Sequence, residues 1–390
     1  MSAMISAVTL LIFNLGMNDG LIWGIINNST ETMFGHLTVT EVTYIDQPSL
    51  YKTIPEDVNF RKTILKNPEV KGICGRISCF VLLSFGNDEN SHSQAVELLG
   101  INPDEEIQTS RLPTSVTKGK FLSSNEAHEI ILGENLAKRL EATIGGQVAI
   151  MGQAADGSIC SDLLTVAGFM KTGNSFRDSS LALTGRKTLQ EILVLDNKLH
   201  KWIVFLKNPL KSNFMAETLK KDFPSFLFTT WQKLVPQMAS ILDILTAIQL
   251  IVMGIFYFAV FLITMNTMNM AFLERRREFA ILGAIGLTKK RLAVLITLEG
   301  CLLGIFAGIF GGVLGTSLSF WFHYYPLDLS AFLPNISYGE GALQPFLTCN
   351  PTLKNVFSPI LGMLILGNIV ACLPIIRLIR QKPAEALRNS

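Results

Sequence analysis

The sequence predicts a membrane protein in which four transmembrane α-helices carry a large α+β extracytoplasmic domain, inserted between helices one and two. The 390 residues have a mean hydropathy of +0.38, and only 16% of them are charged. Typical soluble domains carry about a quarter charged residues, so this composition favours a membrane protein. A bilayer core takes roughly 20 apolar helical residues and penalises buried charges. Four uncharged stretches satisfy this rule, at residues 1–18, 244–273, 300–327 and 355–376.

The uncharged stretches and the charged residues beside them predict the boundaries of eight segments. Helix one is residues 1–26. The extracytoplasmic domain of residues 27–236 has two lobes, of which the second is inserted at about residues 84–186. The other segments are helix two at 241–273, a short cytoplasmic helix at 274–289, helix three at 292–322, an extracytoplasmic loop at 323–354, helix four at 355–376 and a cytoplasmic tail at 377–390.

Basic residues near the spans set the predicted orientation, since cytoplasmic loops are enriched in Lys and Arg. The link between helices two and three and the tail after helix four are both basic, so we place them in the cytoplasm. Four spans then put the N-terminus there as well. A cleaved signal peptide is the alternative for helix one, but its basic n-region is missing. The basic residues are Arg275, Arg276, Arg277, Lys289, Lys290, Arg291, Arg377, Arg380, Lys382 and Arg388.

The extracytoplasmic segment has a mixed α+β pattern. Its first part predicts a strand, a helix and a strand, because β-branched runs flank a segment with Pro and two acids at its start. The same order returns near its end. The two units bracket the inserted lobe, and they comprise residues 35–45, 55–66 and 70–83, then 200–206, 213–222 and 226–230.

Composition and motifs exclude several functional classes. The net charge of +2 lacks the basic excess that binds nucleic-acid phosphates. The six cysteines are too few and scattered for a disulfide scaffold, and they form no C-x-x-C pair. No phosphate-binding G-x-x-x-x-G-K-[ST] loop, H-E-x-x-H or G-x-S-x-G occurs. The chain is therefore not itself an ATP-binding subunit, and hydrolase chemistry has little support.

The most informative stretch is ERRREFAILGAIGLTKKR at residues 274–291. Charges at 274–278 are followed by Phe279, Ile281 and Ile285, which predicts a short amphipathic helix between two spans. Gly286 offers a place for this helix to end. The alternative interpretation is a simple positive-inside anchor that fixes topology.

This stretch resembles the coupling region between the second and third membrane helices of the MacB/FtsX-type ABC transporter permease family. The chain is most similar to the lipoprotein-releasing (LolC/LolE-like) permeases of that family. Five further segments resemble the family in its order, so the resemblance covers almost the whole chain. They are GHLTVT at 35–40, VELLGINPDEE at 96–106, ILGENLAKRL at 131–140 with IGGQVAI at 144–150, TWQKLVP at 230–236 and RLIRQKPAEALR at 377–388.

Three features depart from the family pattern. Gly283 stands where the family usually has Arg or Lys, which makes the coupling helix less basic and, by about 1 kcal/mol, less stable. Gly146 is followed by Gln147 instead of the common Asp. The cytoplasmic helix that often precedes helix one is missing. These departures affect the expected details of ATPase contact.

The resemblance implies the permease subunit of an ABC complex in a bacterial inner membrane. A partner ATPase would bind ATP and magnesium, and its hydrolysis would move the extracytoplasmic domain to extract lipoproteins for transfer to a carrier. This chain would catalyse no reaction and bind no cofactor or metal. The implied partners are that ATPase, a second permease copy or homologue, the lipoprotein, a periplasmic carrier and membrane lipids, without nucleic acid. The residues assigned to ATPase coupling are Glu274, Arg275, Arg276, Arg277, Glu278, Ala284, Ile285, Gly286 and Thr288.

Two further sets of residues are assigned to the membrane part. Gly300, Gly304, Gly308 and Gly312 repeat every four residues and predict a close helix contact. That contact is either within the four-helix bundle or between subunits. Residues of helix one are candidates to line a lateral groove for acyl chains, with simple lipid contact as the alternative; these are Phe13, Leu15, Met17 and Ile22.

Other functions stay open at this point. An efflux or signalling permease of the same family would share the whole layout. A membrane-anchored sensor or scaffold would share the topology but would not bind an ATPase. A membrane-bound hydrolase would show turnover by its extracytoplasmic domain, which we do not expect.

Overall fold

The computed structural model describes residues 1–86, 91–328, 337–338, 341–342 and 346–380. The chain divides into two compact units. The helical unit comprises Met1–Trp23 with residues 241–328 and 346–380, and the α+β unit is built on Gly24–Ser240. The predicted tail beyond residue 380 and much of the predicted loop at 323–354 lie outside the described residues.

The described helices are numbered in chain order. A π-helical turn, Thr30–Phe34, continues α1, and short 3-10 turns lie at Leu112–Ser115 and Pro209–Lys211. The α-helices are α1 Ser2–Ser29, α2 Val58–Leu65, α3 Pro103–Thr109, α4 Glu134–Leu140, α5 Arg177–Ser180, α6 Arg186–Leu193, α7 Ser212–Asp222, α8 Trp231–Leu234, α9 Pro236–Glu274, α10 Arg276–Ala284, α11 Lys289–Tyr324 and α12 Leu353–Arg380.

The strands are numbered in the same way. They are β1 Leu37–Thr40, β2 Ile54–Pro55, β3 Val70–Phe85, β4 His92–Ile101, β5 Val116–Gly119, β6 Glu129–Gly133, β7 Gln147–Gln153, β8 Ile159–Met170, β9 Leu181–Gly185, β10 Lys198–Leu199, β11 Lys201–Leu206, β12 Leu227–Thr230, β13 Leu327–Asp328, β14 Ser337–Tyr338, β15 Gly341–Ala342 and β16 Phe346–Leu347.

The helical unit contains the apolar helices. In the described part of the chain, four helices are long and apolar enough to cross a membrane: α1 with its π-helical continuation, α9, α11 and α12. The prediction of four apolar helices is therefore confirmed. Their shared core takes side chains from each helix, including Val8, Ile12, Met268, Phe272, Ile296, Ala307, Met363 and Val370.

Part of the α+β unit is a pair of split strand–helix–strand motifs. β1, α2 and β3 form one motif, and β11, α7 and β12 form the other. Their strands interleave in the order β12, β1, β11, β3, and every neighbouring pair is antiparallel. Each helix covers a crossover between strands that are separated in the sheet. This arrangement confirms the repeated strand–helix–strand order that the sequence predicts.

The first predicted strand is shorter than expected. The sequence pattern extends it over residues 35–45, whereas β1 ends at Thr40. The backbone then turns, with the Tyr44 N–H donating to the Glu41 carbonyl at 3.1 Å. The Tyr44 ring stacks on His200, and its hydroxyl bonds Ser78 at 3.0 Å. A tertiary contact therefore ends the strand where local β-propensity would continue it.

Strand β3 continues from the split motifs into a closed ring. Within the described residues, β3 pairs with β4, β4 with β9, β9 with β6, β6 with β8, β8 with β7, and β7 with β3 again. Closure removes free sheet edges around this ring. Its interior is filled by alternate side chains from all six strands, including Val81, Leu98, Leu132, Val148, Leu164 and Ala182.

The outside of the ring has a covered side and an open side. On the covered side, Leu99, Ile131 and Leu183 pack beneath Leu112 and Leu122. On the open side, β3, β7 and β8 expose five large apolar side chains, with the polar residues Gln153 and Ser161 paired beside them. Large exposed apolar patches are uncommon on monomeric proteins. The large apolar side chains of this face are Phe80, Leu82, Met151, Ile159 and Leu163.

Two buried histidines of the α+β unit are neutral. The Nδ1 atom of His36 accepts from the Leu206 N–H at 2.8 Å, and Nδ1 of His200 accepts from the Ser78 N–H at 3.0 Å. Each ring proton therefore resides on Nε2, and a second proton would point at a backbone N–H. Burial lowers the pKa of both His36 and His200 to about 4.

We expect the α+β unit to lose stability as the pH falls below about 6.5, the pKa of unfolded histidine. Because the folded pKa values are lower, the unfolded state binds protons first, and this loss continues down to about pH 4. Each histidine contributes up to about 3 kcal/mol over that range. The check is the urea midpoint of the purified chain between pH 7.5 and 5.5, where most carboxylates stay ionised. His200→Gln should flatten this dependence, and a midpoint independent of pH would contradict the assignment.

Candidate functional site

Helix α10 and the turns on either side of it form the candidate site, which we call the α10 segment (residues 274–288). The helix has one buried edge, where Phe279 is only 5% exposed and packs on Phe272 with ring centroids 5.7 Å apart. Leu282 is half-buried against the same core. Among the side chains that the structure describes, those of one edge of α10 therefore pack on the rest of the helical unit.

The other side of the α10 segment is open to solvent. Its exposed surface mixes charged and apolar side chains, and Ile285 is the most exposed of the apolar ones, at 77%. The side chains of two predicted coupling residues, Arg276 and Ala284, lie outside the described part. The exposed members are Glu274, Arg277, Glu278, Ile281, Ile285 and Thr288.

Arg275 connects the start of the α10 segment to α11. Its guanidinium bonds Glu278 at 3.1 Å and Glu299 at 3.2 Å, and it lies 5.6 Å from the centre of the Phe279 ring. These carboxylates raise the pKa of Arg275, through the Glu278 hydrogen bond first and the charge of Glu299 second. Glu299 of α11 is thus an ionic partner of the α10 segment, and it is not among the residues assigned to that segment from the sequence.

A glycine ends α10 in the way that the sequence predicts. Gly286 has φ +104°, a conformation that favours glycine. The Leu287 N–H reaches back to the Leu282 carbonyl at 3.0 Å, and both side chains pack in the same core. This is a Schellman ending, in which a positive-φ residue lets the next N–H satisfy a free helix carbonyl. Ile285 is held at the exposed corner as a result.

The four glycines of α11 lie against α12 of the same chain. A Cβ added at Gly300 would lie 3.0 Å from the Gly367 carbonyl oxygen, and one at Gly304 would lie 3.3 Å from Leu364. Gly308 and Gly312 both face Ile360. The close contact in this chain is thus between two of its own helices.

The four residues assigned to a lateral groove in α1 are all half-buried. Phe13 packs on Phe322 with ring centroids 5.3 Å apart, so part of this set has an intrachain partner. Beside it, the Asn14 side chain accepts from the Gln249 amide at 2.8 Å, which joins α1 to α9. The other members of the set are Leu15, Met17 and Ile22.

Sequence reasoning missed a buried ionic cluster in the α+β unit. Arg76 in β3 is fully buried beside Glu106 of α3, and Arg186 bonds Glu105 at 2.9 Å. The sequence feature that could have indicated this cluster is a single arginine, Arg76, in the middle of a strand of otherwise mostly apolar residues. The two glutamates resemble ordinary first-turn acids of a helix, so their burial was not evident.

Comparison with known proteins places the α10 segment in a recognised domain. The family described as FtsX-like permease C-terminal matches residues 250–383, which contain α10, α11 and most of α9 and α12. The match covers about a third of the chain, so this segment is similar to the C-terminal domain of FtsX-like permeases. This similarity and the four apolar helices together indicate a multi-pass membrane protein.

Two curated relatives are named as lipoprotein-releasing system transmembrane proteins. The chain is 24% identical over 234 residues to the lipoprotein-releasing system transmembrane protein LolC of Neisseria meningitidis serogroup B. This alignment covers 58% of this chain and 56% of the relative. Over 359 residues it is 20% identical to the corresponding LolE of Haemophilus influenzae, covering 86% and 82%. The chain thus spans about half the length of the LolC relative and most of the LolE relative.

Solved structures of the extracellular or periplasmic parts of two other proteins show weaker similarity to this chain. The periplasmic region of MacB from Actinobacillus actinomycetemcomitans has a TM-score of 0.39 at 15% identity, covering 56% of this chain and 95% of that one. The extracellular domain of the ABC-type transporter YknZ from Gram-positive bacteria has a TM-score of 0.35 at 13% identity, covering 50% and 99%. Neither likeness establishes a shared fold.

Proposed function

We propose that this chain is the subunit through which a cytoplasmic ATPase moves the α+β unit, and that the motion extracts lipoproteins from the inner membrane for transfer to a carrier. The observation that carries the proposal is the form of the α10 segment. One edge is packed into the helical unit, while the other presents exposed charges around Ile281 and Ile285. Such a mixed surface can dock in a groove of a partner protein, with apolar side chains as anchors and charges at the rim.

The proposal includes an orientation. The α10 segment and both termini face the cytoplasm, because this segment and the C-terminal tail carry clustered Lys and Arg. The extracytoplasmic domain of residues 27–236 then faces the opposite side. ATP and magnesium bind the partner ATPase, and this chain contributes motion without catalysis or a cofactor of its own.

The proposal also names a lipoprotein as the cargo, and a second permease chain and a periplasmic carrier as partners. The lipoprotein assignment is supported by the two relatives that are named for lipoprotein release. A second permease chain would complete the membrane part, and a periplasmic carrier would receive the cargo. The lateral groove beside Phe13, Leu15, Met17 and Ile22 would accept acyl chains from surrounding lipid.

The test is reconstitution of the chain with its ATPase in nanodiscs. Glu274→Ala with Glu278→Ala is expected to lower ATPase binding and the permease-dependent stimulation of ATP hydrolysis, since both carboxylates lie on the exposed side. Glu217→Ala, an exposed glutamate of α7, is the matched control. Unchanged stimulation in the double variant, with insertion intact, would contradict the coupling assignment. ATPase binding without release of a triacylated lipoprotein would favour an efflux or signalling role.

A further inference from the structure

The end of the first transmembrane helix is tied to the sheet of the α+β unit by a buried arginine. Helix α1 continues into the π-helical turn Thr30–Phe34, whose last carbonyls lack partners within the helix. Arg76 of β3 donates to the Met33 carbonyl at 2.6 Å and to the Thr32 carbonyl at 3.3 Å. A cation at this position satisfies the free carbonyls and matches the negative end of the helix dipole.

Glu106 fixes the orientation of this arginine. Its two oxygens accept from Nε and Nη2 of Arg76 at 2.7 and 2.9 Å, and both side chains are completely buried. Burial alone would lower the pKa of Arg76, but the adjacent carboxylate outweighs this effect and raises it. Glu106 is itself held in α3, which begins where Asn102 caps the Asp104 N–H. Because Glu106 holds one edge of the planar guanidinium, the remaining N–H groups of Arg76 point toward the carbonyls of the π-helical turn.

A second ionic contact holds the same turn from the surface. Glu31 accepts from Lys71 of β3 at 3.1 Å and pairs with Arg111, which follows α3, at 2.7 Å. The Arg111 N–H also donates to the Glu31 carbonyl at 3.0 Å. The turn is thus bound to β3 and to the α3 region by both its backbone and its side chain. We call Arg76, Glu106, Glu31, Lys71 and Arg111 the helix-one clamp.

We propose that the helix-one clamp makes the end of α1 and the sheet move as one piece, with Arg76 and Glu106 as positioning residues for force transmission. This inference rests on the function proposed above. Transmission requires a connection that does not yield when the helix shifts, and π-helical turns frequently occur at functional positions in helices. The clamp binds the carbonyl groups of this turn through Arg76 and the Glu31 carboxylate through Lys71 and Arg111. A displacement of α1 is therefore passed to β3.

The experiment uses the surface half of the clamp, because removal of buried Arg76 can unfold the domain. Lys71 and Arg111 have side chains that are 45% and 50% exposed. Lys71→Ala with Arg111→Ala is compared with wild type in the complex with its ATPase in nanodiscs. Hydrogen exchange of the α+β unit is measured without nucleotide and after trapping with ATP and vanadate, together with ATP hydrolysis and thermal stability. Lys187→Ala, which breaks the exposed Lys187–Glu126 pair, is the matched control.

We expect the nucleotide-dependent change in exchange to fall about threefold or more in the double variant, in line with typical coupling effects of single positions. ATP hydrolysis should stay at the level of the control and the domain should remain folded at the assay temperature, although Glu31, whose side chain is 12% exposed, loses both ionic partners. Lys71→Arg with Arg111→Lys should restore the change. An undiminished change in the double variant would overturn the clamp. Absence of any nucleotide-dependent change in wild type would instead contradict the proposed function itself.

Discussion

Replacing Ile285 with Asp is expected to reduce ATPase binding by about ten- to hundredfold. Ile285 is held at the exposed corner that follows α10, and burial of such a side chain in a partner contributes about 1.5–3 kcal/mol. Each 1.4 kcal/mol corresponds to about tenfold in affinity, and an aspartate would also have to be desolvated in the groove. The measurement is titration of the detergent-solubilised permease with its purified ATPase.

Ile159→Asp is the matched control for this prediction. Ile159 is 82% exposed on the open face of the β ring, so it is as accessible as Ile285 but belongs to the α+β unit. The control should bind ATPase as wild type does. Equal affinities for Ile285→Asp and Ile159→Asp would show that the exposed corner of the α10 segment does not contact the ATPase.

Gly300→Leu is expected to have the second large effect, on the stability of the helical unit. A Cβ at this position lies 3.0 Å from the Gly367 carbonyl and 3.3 Å from the Ala371 Cβ, so a leucine would force α11 away from α12. Overpacking of this kind costs about 1–3 kcal/mol, and α11 and α12 would lose contact along the rest of the glycine row. We expect thermal unfolding of the detergent-solubilised chain several degrees below wild type.

Gly254 provides the control for the glycine row. It lies in α9, also an apolar helix, but among the described residues no atom beyond the neighbouring backbone of α9 lies within 4 Å of an added Cβ there. Gly254→Leu should therefore unfold at the wild-type temperature, even though it introduces the same side chain into a helix of similar composition. If Gly300→Leu unfolded at that temperature too, the packing of α11 on α12 would be contradicted.

The helices could be predicted from the sequence because their signals are local. A charge inside a span is costly wherever the helix packs, so uncharged stretches alone indicate α1, α9, α11 and α12. The presence of α2 is predicted correctly, but its start is predicted three residues early. Pro55 lies in β2, and Asp57 caps the helix by accepting from the Asn59 N–H at 2.7 Å. The Gly286 ending of α10 follows from the same local chemistry.

The parts that escaped prediction depend on pairing between distant segments. The ring closes because β4 pairs in parallel with β9, which joins Leu98 to Ala182, and no local pattern specifies that partner. Arg76 and Glu106 meet only once β3 and α3 are packed together. Spacing likewise predicted that Gly300 and its row make a close helix contact, but it left open which helix they meet. Hydrophobic periodicity indicates which face is buried, whereas the identity of the neighbour depends on the whole fold.

Mass spectrometry of the proteins that co-purify with the tagged chain from gently solubilised native membranes will test the claim that this chain is the membrane subunit of an ATP-driven complex. We expect an ABC ATPase together with a triacylated lipoprotein. A second permease sequence would show that the complex contains two different permease chains. Absence of any ATPase, under conditions that preserve other ABC complexes, would contradict the claim and favour a membrane-anchored sensor or scaffold.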